Sequence, residues 1–191
     1  MDSSLPAVCK RLDELDEVDW ASLHTAHGTA EHVPMALNAL AGAQIPTELF
    51  RAYWKLDNYI VLQGTIYESA YFAAPYILDI LLSSRSSAVR VAAYDLLIEI
   101  ARGVPDPRQS WDSRSRAPKD LRKACRELIA SGLTACEPDL ASADPVIRRR
   151  ALDLLTSFDD RTGHLRTLLD SIDPGEDAEF AQLLLRAKSE L

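Results

Sequence analysis

Apolar side chains recur at every third or fourth position along most of this chain, a period that predicts amphipathic α-helices. Glycine is scarce, with seven in 191 residues, and most prolines fall between apolar runs, which favours helices over strands. Pro75 lies inside a predicted helix, which we expect it to kink or split. The predicted helices span residues 5–15, 34–40, 46–63, 66–82, 88–101, 119–135, 165–172 and 177–187, and one more opens at the cap Asp144-Pro145.

Two of these helices carry the same phrase, 58 residues apart. Each copy has a β-branched residue, an arginine, an alanine, an aspartate and a closing leucine pair: Val89-Arg90-x-x-Ala93-x-Asp95-Leu96-Leu97 and Ile147-Arg148-x-x-Ala151-x-Asp153-Leu154-Leu155. Recurrence at a long period indicates stacked helical hairpins that cannot bury their apolar faces alone. The matching positions of Arg90 and Arg148 predict that these arginines pack or pair between neighbouring hairpins.

The helices group into pairs of about 40 residues, the length of a HEAT-type repeat, which the pairs resemble. We therefore predict an all-α fold, a short right-handed α-solenoid of about four HEAT-like helical hairpins. It forms a single domain over residues 1–191. Residues 1–30 are an N-terminal cap with a capping helix, and residues 103–118 are a long, basic, proline-rich loop insertion.

One longer stretch resembles a particular family. It begins with Trp20, Leu23, Ala26, Gly28 and Ala30, continues through Gln63-Gly64-Thr65-Ile66-Tyr67-Glu68, and ends in the first copy of the phrase. Between residue 20 and about residue 103 the chain resembles small bacterial HEAT-like repeat proteins. Proteins of this kind resemble immunity proteins, which bind a cognate toxin and block it. The resemblance implies the repeat architecture and an immunity role, and it supplies no catalytic residue.

Charge and composition narrow the class of partner and the compartment. The net charge is −8, which opposes binding to phosphate backbones and suits a basic protein, although solubility accounts for it equally well. No apolar run approaches the roughly 20 residues of a membrane span. The first residues lack a signal-peptide pattern, and the three cysteines lack disulfide or zinc spacing. We expect a reduced, cytoplasmic protein that does not enter a membrane.

Patterns that mark catalytic or metal sites are missing from the sequence. It contains no GxSxG elbow, no HExxH pair and no glycine-rich phosphate loop. The one cluster of metal-ligand types is His24, His27 and His32 with Glu31, but Gly28 and Pro34 interrupt the helix face that would join these side chains. We therefore predict solvated or locally hydrogen-bonded histidines, no metal, no cofactor and no enzymatic activity.

Aromatic residues crowd into one part of the chain, where residues 50–76 contain eight of the thirteen rings. Tyrosine and tryptophan concentrate in interface hot spots, but rings also fill cores, and we assign Phe50, Trp54 and Phe72 to the core. We expect a concave, acidic and aromatic partner-binding surface. Its predicted residues are Tyr53, Tyr67, Glu68, Tyr71, Asp95 and Asp153. The two aspartates hold matching repeat positions, so hydrogen bonds between repeats are an alternative role for them.

A basic run follows the first repeat and consists of Arg108, Arg114, Arg116, Lys119, Arg122, Lys123 and Arg126, with Trp111 inside it. One aromatic in acidic surroundings is a weak nucleic-acid signature, so nucleic acid is not the predicted partner. We predict a non-enzymatic protein-binding module, an immunity protein that neutralises a basic toxin domain. The alternatives are a HEAT-like DNA-binding protein or DNA-glycosylase-like enzyme, and a scaffold or accessory subunit of a multiprotein complex.

Overall fold

The structure is a computed structural model that describes residues 8–107, 117–158, 162–175 and 177–191. It is mostly helical, in agreement with the predicted all-α class. The α-helices are α1 (Val33–Gly42), α2 (Pro46–Ile60), α3 (Glu68–Ser83), α4 (Ser87–Arg102), α5 (Leu121–Gly132), α6 (Pro145–Leu155), α7 (Thr162–Asp170) and α8 (Ala178–Glu190). Three 3₁₀ helices cover Leu12–Glu17, Trp20–Ser22 and Leu133–Ala141.

Side-chain caps define where four of the helices begin. Ser86, Asp120, Asp144 and Asp177 each precede a helix and accept a hydrogen bond from a backbone N–H of its first turn. These N–H groups have no partner within the helix, so a capping oxygen stabilises the start by about 1 kcal/mol. The short polar residues between the apolar runs therefore determine the helix boundaries.

The helices pack in successive pairs. Helix α1 packs on α2, α3 on α4, the 3₁₀ helix Leu133–Ala141 on α6, and α7 on α8. Along one row α2, α4, α6 and α8 are consecutive neighbours, and α1, α3 and α5 follow one another in a second row. The core lies between the rows, and its largest fully buried side chains include Tyr76 and Tyr94.

Pro75 does not split its helix, which was one of the two predicted outcomes. Helix α3 runs without interruption from Glu68 to Ser83. A proline in a helix removes one backbone hydrogen bond and crowds the preceding turn. Here Pro75 and its neighbours Ala73, Ala74 and Tyr76 are all buried. Packing on both sides of the turn offsets the lost bond.

The N-terminal cap differs from the predicted helix over residues 5–15. Its described part consists of 3₁₀ turns followed by a two-residue hairpin, β1 (His24–Thr25) and β2 (Gly28–Thr29); residues 1–7 lie outside the described range. The buried ring of Trp20 anchors the cap, since its Nε1 donates to the Leu15 carbonyl at 2.8 Å. The buried indole of Trp20, whose N–H is hydrogen-bonded, thus anchors the cap instead of the apolar face of a predicted amphipathic helix.

A small sheet interrupts the helices beside the long loop. Strands β3 (Val61–Leu62) and β4 (Thr65–Ile66) form an antiparallel hairpin, and β5 (Val104–Pro105) pairs with β4 in parallel. The two turn residues, Gln63 and Gly64, both have positive φ angles, 50° and 77°, as a two-residue hairpin turn of the mirror-image type requires. This hairpin ends the predicted helix 46–63 at Ile60.

The repeated arginine has the same role in both copies of the phrase. Arg90 donates its Nε to the Leu81 carbonyl at 3.2 Å, and its Nη2 contacts the carboxylate of Asp139. The same carboxylate oxygen accepts the hydroxyl of the buried Tyr94 at 2.5 Å. Arg90 therefore links the end of α3 to the following pair of helices.

Arg148 makes the equivalent contacts one unit later. Its Nη1 donates to the Ser142 carbonyl at 3.2 Å, and its Nη2 donates to the carboxylate of Asp177 at 2.9 Å. Asp177 is also the N-terminal cap of α8. The prediction that Arg90 and Arg148 pair between neighbouring hairpins is confirmed by these contacts.

Candidate protein-binding face

An apolar groove of about 670 Å³ opens on the row formed by α2, α4 and α6. One wall is the turn between α1 and α2 together with the first half of α2, the floor is the start of α4, and Val146 of α6 closes the far side. The lining includes Ile45, Pro46, Leu49, Phe50, Tyr53, Ala88, Val91, Ala92, Asp95, Asp144 and Val146. Its charged members, Asp95 and Asp144, are both acids.

Large apolar side chains on this face are exposed to solvent. Phe50 is 64% exposed, Ile45 53% and Val146 43%, and Trp54 packs edge-on against Phe50 with ring centroids 5.9 Å apart. Assigning Phe50 and Trp54 to the core was therefore wrong, while Phe72 is partly buried. The sequence does carry a signal for this. Phe50 and Trp54 lie four residues apart and out of phase with Ala52, Leu56 and Ile60, which form the buried stripe of α2.

An acidic strip adjoins the groove and consists of Asp57, Asp95, Glu99 and Asp153. Half-buried Tyr53 lies where the groove meets this strip, and its hydroxyl donates to Asp57 at 3.4 Å. Burial and the charges of Asp57, Asp95 and Glu99 together raise the pKa of Tyr53. The strip therefore imposes a negative potential at this end of the groove.

The two aspartates of the repeated phrase lie in the strip and join α4 to α6. Asp95 forms an ion pair with Arg150, whose Nε lies 2.6 Å from the carboxylate, and Asp153 pairs with Arg102. Both carboxylates remain partly exposed. Both ion pairs thus connect the two helices that carry the repeated phrase, and they reduce the charge that the aspartates offer to a partner.

Asp57, a member of the strip, makes the stability of the folded protein depend on pH. Burial is the main cause that raises the pKa of its carboxyl, with a further rise from Glu99 and an opposing effect from the Tyr53 hydrogen bond. A raised pKa in the folded state means that ionisation of Asp57 opposes folding. This cost is present at neutral pH and disappears as the pH falls through the folded pKa towards the unfolded value.

We therefore expect Asp57→Asn to increase the free energy of unfolding slightly at pH 7, by about 0.5 kcal/mol at most because the group is partly solvated. The increase should shrink towards zero as the pH is lowered. Urea denaturation of both proteins between pH 7 and pH 4 measures it, with the exposed Asp16→Asn as the matched control. A variant that is less stable than the wild type at pH 7, and that regains no stability on acidification, would contradict the expected direction of the stability change.

Tyr67 and Glu68 do not belong to the surface that the sequence predicted. Tyr67 is 8% exposed and Glu68 has no exposed area. The Glu68 carboxylate accepts from the backbone N–H groups of His24 and Ala117, each at 3.3 Å, and lies 3.1 Å from His24 Nδ1. Glu68 therefore ties the N-terminal hairpin and residue 117 to the start of α3, and neither residue is available to a partner.

The two ends of the predicted loop 103–118 attach to one short segment. At its start, the N–H of Val104 donates to Gly64 at 2.9 Å, and the N–H of Asp106 donates to Ile66 at 3.3 Å. At its end, Ala117 donates to Glu68. Residues 108–116, which include Trp111 and three of the predicted basic residues, lie outside the described ranges. The segment 63–68 thus anchors the described residues at both ends of this predicted loop.

Tyr71 lies apart from the other predicted contact residues. It lines a separate pocket of about 210 Å³ with Lys10, Val18, Phe72 and Pro75. The fold therefore places Tyr53, Asp95 and Asp153 on one face, buries Tyr67 and Glu68, and leaves Tyr71 at another pocket. Three of the six predicted residues belong to the candidate face.

Other candidate chemistry is accounted for by local contacts. Within the described ranges, no three His, Cys, Asp or Glu side chains are grouped so that they could hold a metal ion. The rings of His27 and His32 pack edge-on against Tyr59, with centroids 5.3 and 4.1 Å away. Burial raises the pKa of the Cys125 and Cys136 thiols to about 12, which suppresses the nucleophilic thiolate.

The described part of the basic run makes contacts within the protein. Arg126 stacks over the ring of Phe158 at 4.7 Å and donates to the Ala101 carbonyl at 3.2 Å. Lys123 pairs with Glu127 at 3.7 Å. Arg126 therefore has a structural role, and Arg122 is exposed beside it.

Comparisons with known proteins provide no relative for this chain. No family model, no curated protein and no solved structure matches it. Among the described helices, none has both the length and the apolar character needed to cross a membrane.

Proposed function

We propose that this chain is a short right-handed α-solenoid of HEAT-like hairpins that binds another protein and has no catalytic activity of its own. The two rows of consecutive helices and the equivalent contacts of Arg90 and Arg148 support the repeat architecture. The observation that carries the binding role is the face of α2, α4 and α6, where exposed apolar side chains lie directly beside an acidic strip.

This combination favours a basic protein as the partner. Exposed apolar patches of this kind mark interaction sites on soluble domains, and a strip of one charge sign attracts a partner of the opposite sign. Asp57 and Glu99 are the two strip acids without a described ion pair to a base, so they carry most of the attraction. The specific form of the proposal is an immunity protein that covers the active cleft of a basic toxin.

Co-expression tests this proposal directly. Proteins captured on the tagged full chain are expressed alone and then together with it, in growing cells. We expect one basic partner that arrests growth alone and is neutralised by the wild-type chain. The charge reversal Glu99→Lys should abolish protection and capture, whereas Glu31→Lys, an exposed acid outside the face, should preserve both.

Two results would contradict the proposal. Protection that survives Glu99→Lys and Asp57→Lys together would exclude the acidic strip as the binding surface. Capture of nucleic acid, or of a multisubunit assembly without a toxic member, would exclude the immunity role. Thermal denaturation of each variant separates loss of binding from loss of folding.

A further inference from the structure

The shape of the groove indicates how a partner would occupy it. On α4 the groove is lined by the stripe Ala88, Val91 and Ala92, which we call the floor; the three lie at the helical spacing i, i+3 and i+4, and their side chains are small. Its wall is the side of α2 that carries Phe50 and Tyr53, which lie three residues, or about one helical turn, apart. A small floor allows a partner backbone to approach closely, and a wall with a one-turn spacing matches the apolar positions of a helix.

The charges around the groove indicate which sign of charge the partner should carry. Asp95 and Asp144 are the charged residues of its lining, and Asp57 and Glu99 stand next to Tyr53 at its end. The starts of α4 and α6 also border the groove, and such helix ends can attract anions. Here Ser86 and Asp144 already cap them, accepting from Val89 and from Val146 and Ile147. The borders therefore favour cations over anions.

We infer that the groove binds one amphipathic α-helix of a partner protein. Apolar side chains at positions i, i+4 and i+7 of that helix contact Phe50, the Ala88–Ala92 floor and Val146. Lysine or arginine residues that flank these positions face the acidic strip. The inference rests on the proposed function, whose binding mode it specifies. A β-strand is not suited to this site because the groove is lined by helices and by the turn between α1 and α2, which present no strand edge. When a helix docks in a groove, the backbone hydrogen bonds of the partner are made within its own helix.

Two designed peptides test the inference without knowledge of the partner. Both have about 18 residues and leucines on one helical face, and the polar positions are lysine in one and glutamate in the other. Anisotropy of the labelled peptides, titrated with the full chain at low salt, reports binding, and circular dichroism reports helix formation. We expect saturable, helix-inducing binding of the lysine peptide and at least about tenfold weaker binding of the glutamate peptide.

Matched variants locate the binding site. Phe50→Ser removes the most exposed large apolar side chain of the groove and should weaken lysine-peptide binding by about tenfold or more. Leu185→Ser is the control, because Leu185 is 68% exposed on α8 and does not line the groove, and it should leave the affinity unchanged. Equal losses in the two variants, equal binding of both peptides, or no binding of either would overturn the inference.

A second copy of the chain is the competing occupant, since Leu185 is exposed on α8 next to Arg186. Sedimentation of the wild type distinguishes the two. A dimer that both Phe50→Ser and Leu185→Ser dissociate would assign the groove to self-association and overturn the inference. The co-expression experiment separates the two proposals. Protection lost with Glu99→Lys but retained with Phe50→Ser would leave the protein-binding function standing and remove the groove from it.

Discussion

Replacing Asp139 with alanine is expected to lower the free energy of unfolding by about 3 kcal/mol. Its carboxylate accepts from Arg90 and, at 2.5 Å, from the hydroxyl of Tyr94, whose side chain has no exposed area. Without the carboxylate, the arginine loses its counter-charge and the buried hydroxyl loses its acceptor. Both losses cost more than a solvent-exposed contact would, because water cannot replace the missing partner freely. Urea denaturation at constant pH measures the change.

Two further variants separate the components of this effect. Tyr94→Phe removes the hydroxyl alone and should cost about 1 kcal/mol. The double variant Asp139→Ala/Tyr94→Phe should cost less than the sum of the single changes, because both remove the same hydrogen bond. Asp13→Ala, at an exposed acid that pairs with Arg11, is the surface control. Additive effects, or a loss at Asp139 as small as that at Asp13, would contradict the buried network.

Gly103→Ala is expected to cost about 2 kcal/mol and to loosen the attachment of the long loop. A Cβ on Gly103 would lie 2.3 Å from Ile66 Cγ2 and 3.0 Å from the Glu99 carbonyl oxygen. The φ angle of −63° suits alanine, so the cost comes from space alone. Because Ile66 is fully buried in β4, the clash should displace β5. Hydrogen exchange at the Val104 amide reports the displacement, and denaturation reports the cost.

Gly42→Ala is the matched control for this substitution. A Cβ there meets no heavy atom within 4 Å, and Gly42 is the last residue of α1, so alanine should leave stability unchanged or raise it by up to about 1 kcal/mol. Adding Ile66→Ala to Gly103→Ala removes the clashing methyl group, and the pair should cost less than the separate changes combined. A stable Gly103→Ala protein with a protected Val104 amide would show that the contact relaxes without cost.

The positions of most helices after the N-terminal cap could be predicted from the sequence, because a period of 3.6 residues and capping aspartates and serines are local signals. The predicted helix 88–101 corresponds to α4 within one residue at each end. The hairpin at 61–66 could not be predicted in the same way. Its turn places Gln63 at a positive φ angle, which residues other than glycine rarely adopt, so the letters Gln63-Gly64 gave only a helix stop. Parallel pairing with β5 joins residues about 40 positions apart and leaves no local pattern.

Only part of the candidate site could be predicted from the sequence. The repeated phrase shows that Asp95 and Asp153 occupy equivalent positions, but their partners Arg150 and Arg102 lie at positions that do not match each other. Glu68 was predicted to contact a partner, but it is buried. Its burial depends on the convergence of β1, α3 and residue 117, which are distant in sequence. A tyrosine or glutamate at a helix start looks the same whether other segments cover it or not.

The repeated arginine has a consequence for the order in which the chain is made. The acid that Arg90 contacts follows it by 49 residues, and the acid that Arg148 contacts follows it by 29. During synthesis from the N-terminus, each of the two arginines therefore emerges well before its carboxylate, and its ion pair forms only after the later segment has been translated. These two contacts thus tie the completion of α4 and of α6 to the synthesis of residues 139 and 177.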